Sequence, residues 1–199
     1  MIVEQPKAVA EDTRTRILAA TRELYASKGS RGTTTREVAV LAGVNEATLF
    51  RHFGTKGQLL GAMLDHFSVS HELPELLERV RSIPTIEGQL RELGRSCAES
   101  MKRKEDLIRV SMAEELTNPE AHTCAWQGPT AARLRLKEFF HERVAAGVLR
   151  GDPDMLARAF MSLFFAYTMA RKIWGDLESP LDTAVDNLVD IFLNGALAR

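Results

Sequence analysis

The sequence has little cysteine and lacks a long hydrophobic run. Its two cysteines, Cys97 and Cys124, fit neither a metal-binding spacing nor a disulfide framework, so we expect reduced thiols and no metal site. The longest apolar stretch, residues 160–170, is interrupted by Ser162 and Thr168 and is shorter than the ~18 residues that span a bilayer. The N-terminus has no apolar signal core. These absences predict a cytoplasmic protein without membrane attachment.

Sequence motifs for catalysis are also absent. The chain has no paired nucleophile and base, no glycine-rich phosphate loop and no cluster of metal-binding side chains. Strand patterns are missing as well, because β-branched residues do not alternate with polar ones over any useful length. The sequence therefore predicts an all-α protein that is not an enzyme and carries no cofactor.

Charge is distributed unevenly along the chain. All 199 residues together carry a formal net charge of −1, whereas Thr13–Leu60 holds eight basic and three acidic residues. The remainder must therefore be acidic. A basic N-terminal quarter joined to an acidic body indicates a nucleic-acid-binding module attached to a second function.

The basic segment contains three predicted helices with clear boundaries. The first spans residues 12–28, and Gly29 is placed to end it. The second spans Thr35–Ala42, where Thr34 and Glu37 have the spacing of a capping box. Short helices with these signals fit a small DNA-binding domain.

A glycine turn joins the second helix to the third. Gly43 permits a sharp reversal, and Asn45 can cap a helix over Glu46–His52. Leu49 and Phe53 are four residues apart and form its buried side. Two short helices joined in this way predict a helix-turn-helix, whose second helix enters the major groove of DNA.

Two helix N-termini in this region carry a cation where the helix dipole disfavours one. Arg36 follows Thr34-Thr35, and Lys56 follows Thr55 at the start of the fourth helix. Free backbone N–H groups at such ends bind phosphate. A phosphate partner would therefore explain both cations.

The rest of the chain also shows helical patterns, giving about nine helices in total. The fourth helix should run from Lys56 past Phe67 and end or kink at Pro74. Five more are predicted near residues 85–103, 104–117, 119–147 (with a break at Gly128-Pro129), 153–174 and 180–198. We expect a flexible leader over residues 1–12, a DNA-binding domain over 13–60 and a helical effector-binding and dimerisation domain over 61–199.

Residues 13–62 resemble the N-terminal signature of the tetracycline-repressor (TetR) family. The resemblance is carried by the runs Gly32–Ala39, Ala42–Val44 and Thr48–Phe53, followed by Lys56 and Leu59-Leu60. It implies a ligand-responsive repressor that binds a pseudo-palindromic operator in double-stranded DNA as a homodimer. It also implies release by a small apolar or amphipathic effector.

The resemblance implies roles for individual residues in the helix-turn-helix. The expected DNA-binding residues are Thr34, Thr35, Arg36, Glu46, Ala47, Thr48, Phe50, Arg51, His52 and Lys56. Phe50 departs from the tyrosine usual in the family and cannot donate a hydrogen bond to phosphate. Glu46 departs as well, since a carboxylate repels phosphate unless it accepts from a cytosine amino group.

The C-terminal body is expected to hold a dimer interface and an effector pocket. Apolar stripes on the last two helices predict an interface that contains Phe165, Val185, Leu188, Val189 and Phe192. Large adaptable side chains predict a pocket lined by Met101, Met112, Trp126, Phe139, Phe164 and Tyr167. Either set could instead be plain core.

Two other functions remain open. One is a DNA-binding protein controlled by a protein partner or by its abundance, which the absence of an effector-sized cavity would favour. The other is a helical interaction protein that has lost DNA binding, for which Phe50 and Glu46 are mild evidence.

Overall fold

The computed structural model describes residues 6–115, 127–169 and 180–196. Within them the chain forms ten α-helices and a short 3₁₀ turn at Val69–His71, which confirms the predicted all-α class. None of these helices is long and apolar enough to cross a membrane. The helices are α1 Pro6–Gly32, α2 Thr35–Ala42, α3 Glu46–Phe53, α4 Lys56–His66, α5 Leu73–Arg81, α6 Ile86–Arg103, α7 Glu105–Glu115, α8 Gln127–Ala145, α9 Pro153–Met169 and α10 Leu181–Ala196.

One prediction that depended on proline is wrong. Helix α4 already ends at His66, and Pro74 lies in the first turn of α5, a helix that the prediction omitted. Proline is tolerated there because the N–H groups of a first turn have no partner within the helix. Pro129 is the third residue of α8 as described, and the break expected at Gly128-Pro129 stays a prediction because residues 116–126 lie outside the described residues.

The N-terminal helix is longer than predicted. Helix α1 begins at Pro6, so residues 6–12, expected as part of a flexible leader, are helical. The expected interruption at Gly29 is present, with φ 69° and ψ −177°. Residues 116–126, 170–179 and 197–199, which include the ends of several predicted helices, lie outside the described residues.

Contacts divide the chain into two compact units. Unit 1 comprises residues 1–68 and 106–127, and unit 2 comprises residues 69–105 and 128–199. The predicted boundary at residue 60 falls inside α4. Unit 1 also takes in α7, which lies far from α1–α4 in the sequence.

Unit 1 has its own apolar core, to which each of its helices contributes. From α1 to α4 the buried side chains include Ile17, Val38, Leu49 and Met63, each with no exposed surface. Helix α7 adds Leu107 to the same core, with Val110 packed against it. The Tyr25 hydroxyl lies 3.4 Å from the Ser111 hydroxyl, which joins α1 to α7.

Unit 2 is built around an aromatic cluster. The ring of Phe160 lies 4.9 Å from Phe164, 5.8 Å from Phe140 and 5.4 Å from Phe192, measured between centroids. Residue 94 on α6 is a glycine, and the Phe164 ring occupies the space where its Cβ would lie. Helices α6 and α9 therefore approach closely at this point.

Candidate nucleic-acid interface

The position of the recognition helix α3 is set by the turn that precedes it and by the side of the helix that is buried. Gly43 adopts the left-handed conformation at φ 65°, and its N–H donates to the Val40 carbonyl. The Asn45 side chain caps α3 by accepting from the Thr48 N–H at 2.7 Å. Leu49 and Phe53 are buried in unit 1, as predicted.

Anchoring of one side leaves the other side of α3 at the surface. Ala47, Phe50 and Arg51 are exposed, whereas Glu46, Thr48 and His52 are half-buried. The Phe50 ring is 44% exposed. An apolar ring of this kind can pack on a sugar but cannot donate a hydrogen bond.

Capping boxes at the starts of α2 and α4 leave two backbone donors open in each helix. Thr34 and Glu37 satisfy the N–H groups of the cap and of the third helical residue in α2, and Thr55 and Gln58 do the same in α4. The N–H groups of Thr35 and Arg36, and those of Lys56 and Gly57, have no acceptor in the described parts of the chain. Both helix ends therefore present a pair of donors suited to an anion.

Three cations on α3 or on the helices next to it in the chain have no acidic partner among the described residues: Arg36, Arg51 and Lys56. Lys28, by contrast, binds Glu37 at 2.6 Å. The hydrogen bond from Lys28, with further bonds from Thr34, lowers the pKa of Glu37 to about 2. Lys28 and Glu37 thus stabilise the junction between α1 and α2.

Two threonine hydroxyls in this region already donate to glutamates. The Thr34 hydroxyl donates to Glu37 Oε2 at 2.8 Å, and the Thr35 hydroxyl donates to Glu46 Oε1 at 2.7 Å. A phosphate contact by Thr35 would therefore use its backbone N–H. The bond between Thr35 and Glu46, which are eleven residues apart, was not predicted from the sequence. The only sign of this bond in the sequence was the acidic residue at the first position of α3.

Two models of known protein families match this chain, and one of them covers the helix-turn-helix. The family model for bacterial regulatory proteins of the TetR family matches residues 17–63. The model for the C-terminal domain of AefR-like transcriptional repressors matches residues 88–199, more than half of the chain. The chain belongs to the TetR family of transcriptional regulators.

Similar proteins are regulators as well. The HTH-type transcriptional regulator YvkB of Bacillus subtilis is 29% identical over 189 residues, which cover 94% of this chain and 98% of that protein. The HTH-type transcriptional repressor Rv3405c of Mycobacterium tuberculosis is 38% identical over 91 residues, which cover 46% of this chain and 47% of that protein.

Solved structures share the fold across almost the whole chain. A TetR-family regulator from Mesorhizobium loti has a TM-score of 0.79 at 20% identity and covers 97% of this chain and 100% of its own. FadR of Bacillus subtilis, solved with stearoyl-CoA, has a TM-score of 0.76 at 15% identity and covers 91% of this chain and 98% of its own.

Unit 2 of this TetR-family chain contains a small apolar pocket of about 60 Å³. Burial raises the pKa of the Cys97 thiol in its wall to about 12, so this thiol is uncharged near neutral pH. The pocket is lined by Glu72, Leu73, Leu76, Leu93, Ser96, Cys97, Ser100, Met101, Ala132, Leu136, Phe160 and Met161.

The predicted ligand-binding residues are not brought together as a set. Met101 lines the pocket, whereas Phe139 and Phe164 are fully buried in the core of unit 2. Tyr167 is also buried, and Met112 is an exposed residue of α7 in unit 1. Trp126 lies outside the described residues. Phe160 and Met161, which the prediction omitted, line the pocket instead.

The predicted dimer-interface residues divide into two groups. Val185, Val189 and Phe192 are buried in the core of unit 2 itself, so they have little surface to offer a second copy. Phe165 and Leu188 are half-buried and keep some exposed surface. Ile191 is 61% exposed, and it lies three residues from Leu188 on α10.

Proposed function

We propose that this protein represses transcription by binding a pseudo-palindromic operator as a homodimer. The observation that carries the proposal is the pair of open helix N-termini on either side of an anchored recognition helix. Each end combines two N–H groups with a cation, Arg36 in α2 and Lys56 in α4. Such ends hold phosphate, which fixes the register of a protein on the duplex.

Base recognition would then fall to the residues of α3 that keep some exposed surface. The N-terminal part of a recognition helix contacts base edges, and here it contains Glu46, Ala47 and Thr48. Arg51 adds a charge to the surface beside them. Repression follows if the operator overlaps a promoter, and the similarity to the repressor Rv3405c supports it.

Removal of either cation is expected to weaken binding to all DNA. A protein that makes one phosphate contact fewer releases fewer counterions from DNA when it binds. Arg36→Ala and Lys56→Ala should therefore each reduce the dependence of the logarithm of the binding constant on the logarithm of the salt concentration by about one per half-site. The measurement is fluorescence anisotropy of a labelled duplex between ~50 and ~200 mM salt.

Matched controls are Arg135→Ala and Lys102→Ala, which remove exposed cations from unit 2. These variants should bind DNA like the parent protein. Unchanged affinity and salt slope in both test variants would contradict the docking. Failure of the parent protein to bind any duplex at low salt would favour a protein that has lost DNA binding.

A homodimer would present two recognition helices to the two halves of the operator. We propose that Leu188, Ile191 and Phe165 contribute its contact surface, because these apolar side chains of α9 and α10 remain exposed or half-buried. The complex of this protein with a full operator should hold two copies of the chain. Sedimentation of the complex measures this, and one copy per operator would contradict the dimer.

We propose that a small effector acts at the pocket in unit 2, which at about 60 Å³ admits a short apolar group and not a whole drug-sized ligand. Its apolar wall suits a small apolar molecule or the end of an alkyl chain. The presence of stearoyl-CoA in the FadR structure supports an amphipathic ligand of this kind.

An effector must weaken operator binding by the same factor as the operator weakens effector binding, commonly ~5–150-fold. Calorimetry with straight-chain alcohols, with and without operator DNA, measures both factors. Ser96→Phe, which fills the pocket from its wall, should abolish alcohol binding, whereas Ser162→Phe on the exposed side of α9 should not. Equal alcohol affinity with and without DNA would show that the pocket does not control DNA binding.

A further inference from the structure

We propose that Glu46 selects cytosine at one fixed position in each half of the operator, and that Thr35 positions Glu46 for this contact. The inference rests on the proposed operator binding and adds the base that one residue recognises. It starts from the hydrogen bond of 2.7 Å between the Thr35 hydroxyl and Glu46 Oε1.

The bond joins the first residues of the two helices of the helix-turn-helix. Thr35 begins α2 and Glu46 begins α3. Because the carboxylate is tied to α2, its position is set before DNA arrives, and less side-chain freedom is lost on binding.

One carboxylate oxygen remains open for DNA. Oε1 accepts from Thr35, whereas Oε2 has no hydrogen-bond partner in the described residues. An ionised carboxylate only accepts hydrogen bonds. Its partner in the operator must therefore be a donor, which excludes phosphate oxygens.

The major groove offers few such donors. Cytosine presents its N4 amino group, and adenine presents its N6 amino group beside the N7 acceptor. The adenine amino group lies between two acceptors, N7 and the O4 of the paired thymine, which repel a carboxylate. The cytosine amino group has an acceptor on one side only, the O6 of the paired guanine. Cytosine is therefore the base that suits Glu46.

Small neighbours keep this contact within reach. Ala47, the next residue, is exposed and short, so it does not hold α3 away from the base edges. The residue at position 46 therefore determines a base, while Arg36 and Lys56 determine affinity for the backbone.

The test compares the sequences that four proteins select from a library of random duplexes. The parent protein should select cytosine at one position per half-site. Glu46→Gln should shift that position towards adenine, because an amide pairs with both N6 and N7. Glu46→Ala should select no base there, and Glu23→Gln, the same change at an exposed residue of α1, should select the parental sequence.

The strength of the preference for cytosine is measured as the affinity for the selected operator and for a version with one base pair changed. Replacing the selected C·G pair by T·A should weaken the parent protein about tenfold and change Glu46→Ala less than about twofold. Thr35→Val should lose part of this discrimination without any change in salt slope, which distinguishes positioning of Glu46 from a lost phosphate contact.

Two results would overturn the inference, and they are distinguishable. If Glu46→Gln and Glu46→Ala select the parental base at every position, Glu46 does not select a base, although operator binding stands. If the parent protein enriches no sequence, the proposed operator binding is wrong and the selection by Glu46 is wrong with it.

Discussion

Replacement of Phe160 by alanine is expected to lower the free energy of unfolding by about 3–5 kcal/mol. Phe160 is 1% exposed, and its ring contacts three other phenylalanines, on α8, α9 and α10. Alanine would remove the apolar surface that these rings share and leave a cavity that a close-packed core refills only in part. Urea denaturation followed by circular dichroism measures the loss.

The control for this variant is Leu134→Ala on α8. Leu134 is 45% exposed, so its truncation should change the free energy of unfolding by less than about 0.5 kcal/mol. Similar losses in both variants would mean that the aromatic cluster contributes no more than ordinary surface contacts. Because Phe160 also lines the pocket, the alanine variant tests the pocket wall and the core together.

Gly94→Ala is expected to destabilise the protein by about 1–3 kcal/mol, although alanine is the better helix former. A Cβ at this position would lie 2.3 Å from Cζ of Phe164 and 2.8 Å from its Cε1. Phe164 has no exposed surface, so its ring cannot turn away into solvent. The measurement is the same denaturation curve.

Gly57→Ala is the matched control, since it makes the same change in another helix. The nearest atom to a Cβ at position 57 is Thr55 Oγ1 at 3.9 Å, an ordinary contact. This variant should gain up to ~1 kcal/mol from helix propensity. The double variant Gly94→Ala, Phe164→Leu should recover part of the lost stability. A gain in stability from Gly94→Ala alone would contradict the close approach of α6 and α9.

Local signals predicted the helix-turn-helix well. The capping box at Thr34 and the glycine at position 43 determine where α2 begins and ends, and the structure gives the predicted bounds Thr35–Ala42. The start of α3 at Glu46 follows in the same way from Asn45. These signals act over three or four residues, so a single sequence contains them completely.

Features that depend on distant residues could not be predicted in this way. An apolar stripe on α10 shows that Val185, Val189 and Phe192 are covered, but it does not show whether the cover is the same chain or a second copy. In the structure these three side chains are covered by other residues of unit 2. The pocket depends in the same way on α5, the helix hidden by the interpretation of Pro74 as a stop.

Membership of α7 in unit 1 limits how this protein can exchange parts with its relatives. The chain crosses between the two units after residues 68, 105 and 127, so the helix-turn-helix is not a contiguous cassette. A chimera joined at residue 68 would carry α1–α4 without Leu107, and the apolar side chains that Leu107 covers would face water. New operator specificity should therefore be transplanted at individual positions of α3, or with α1–α4 and α7 moved together.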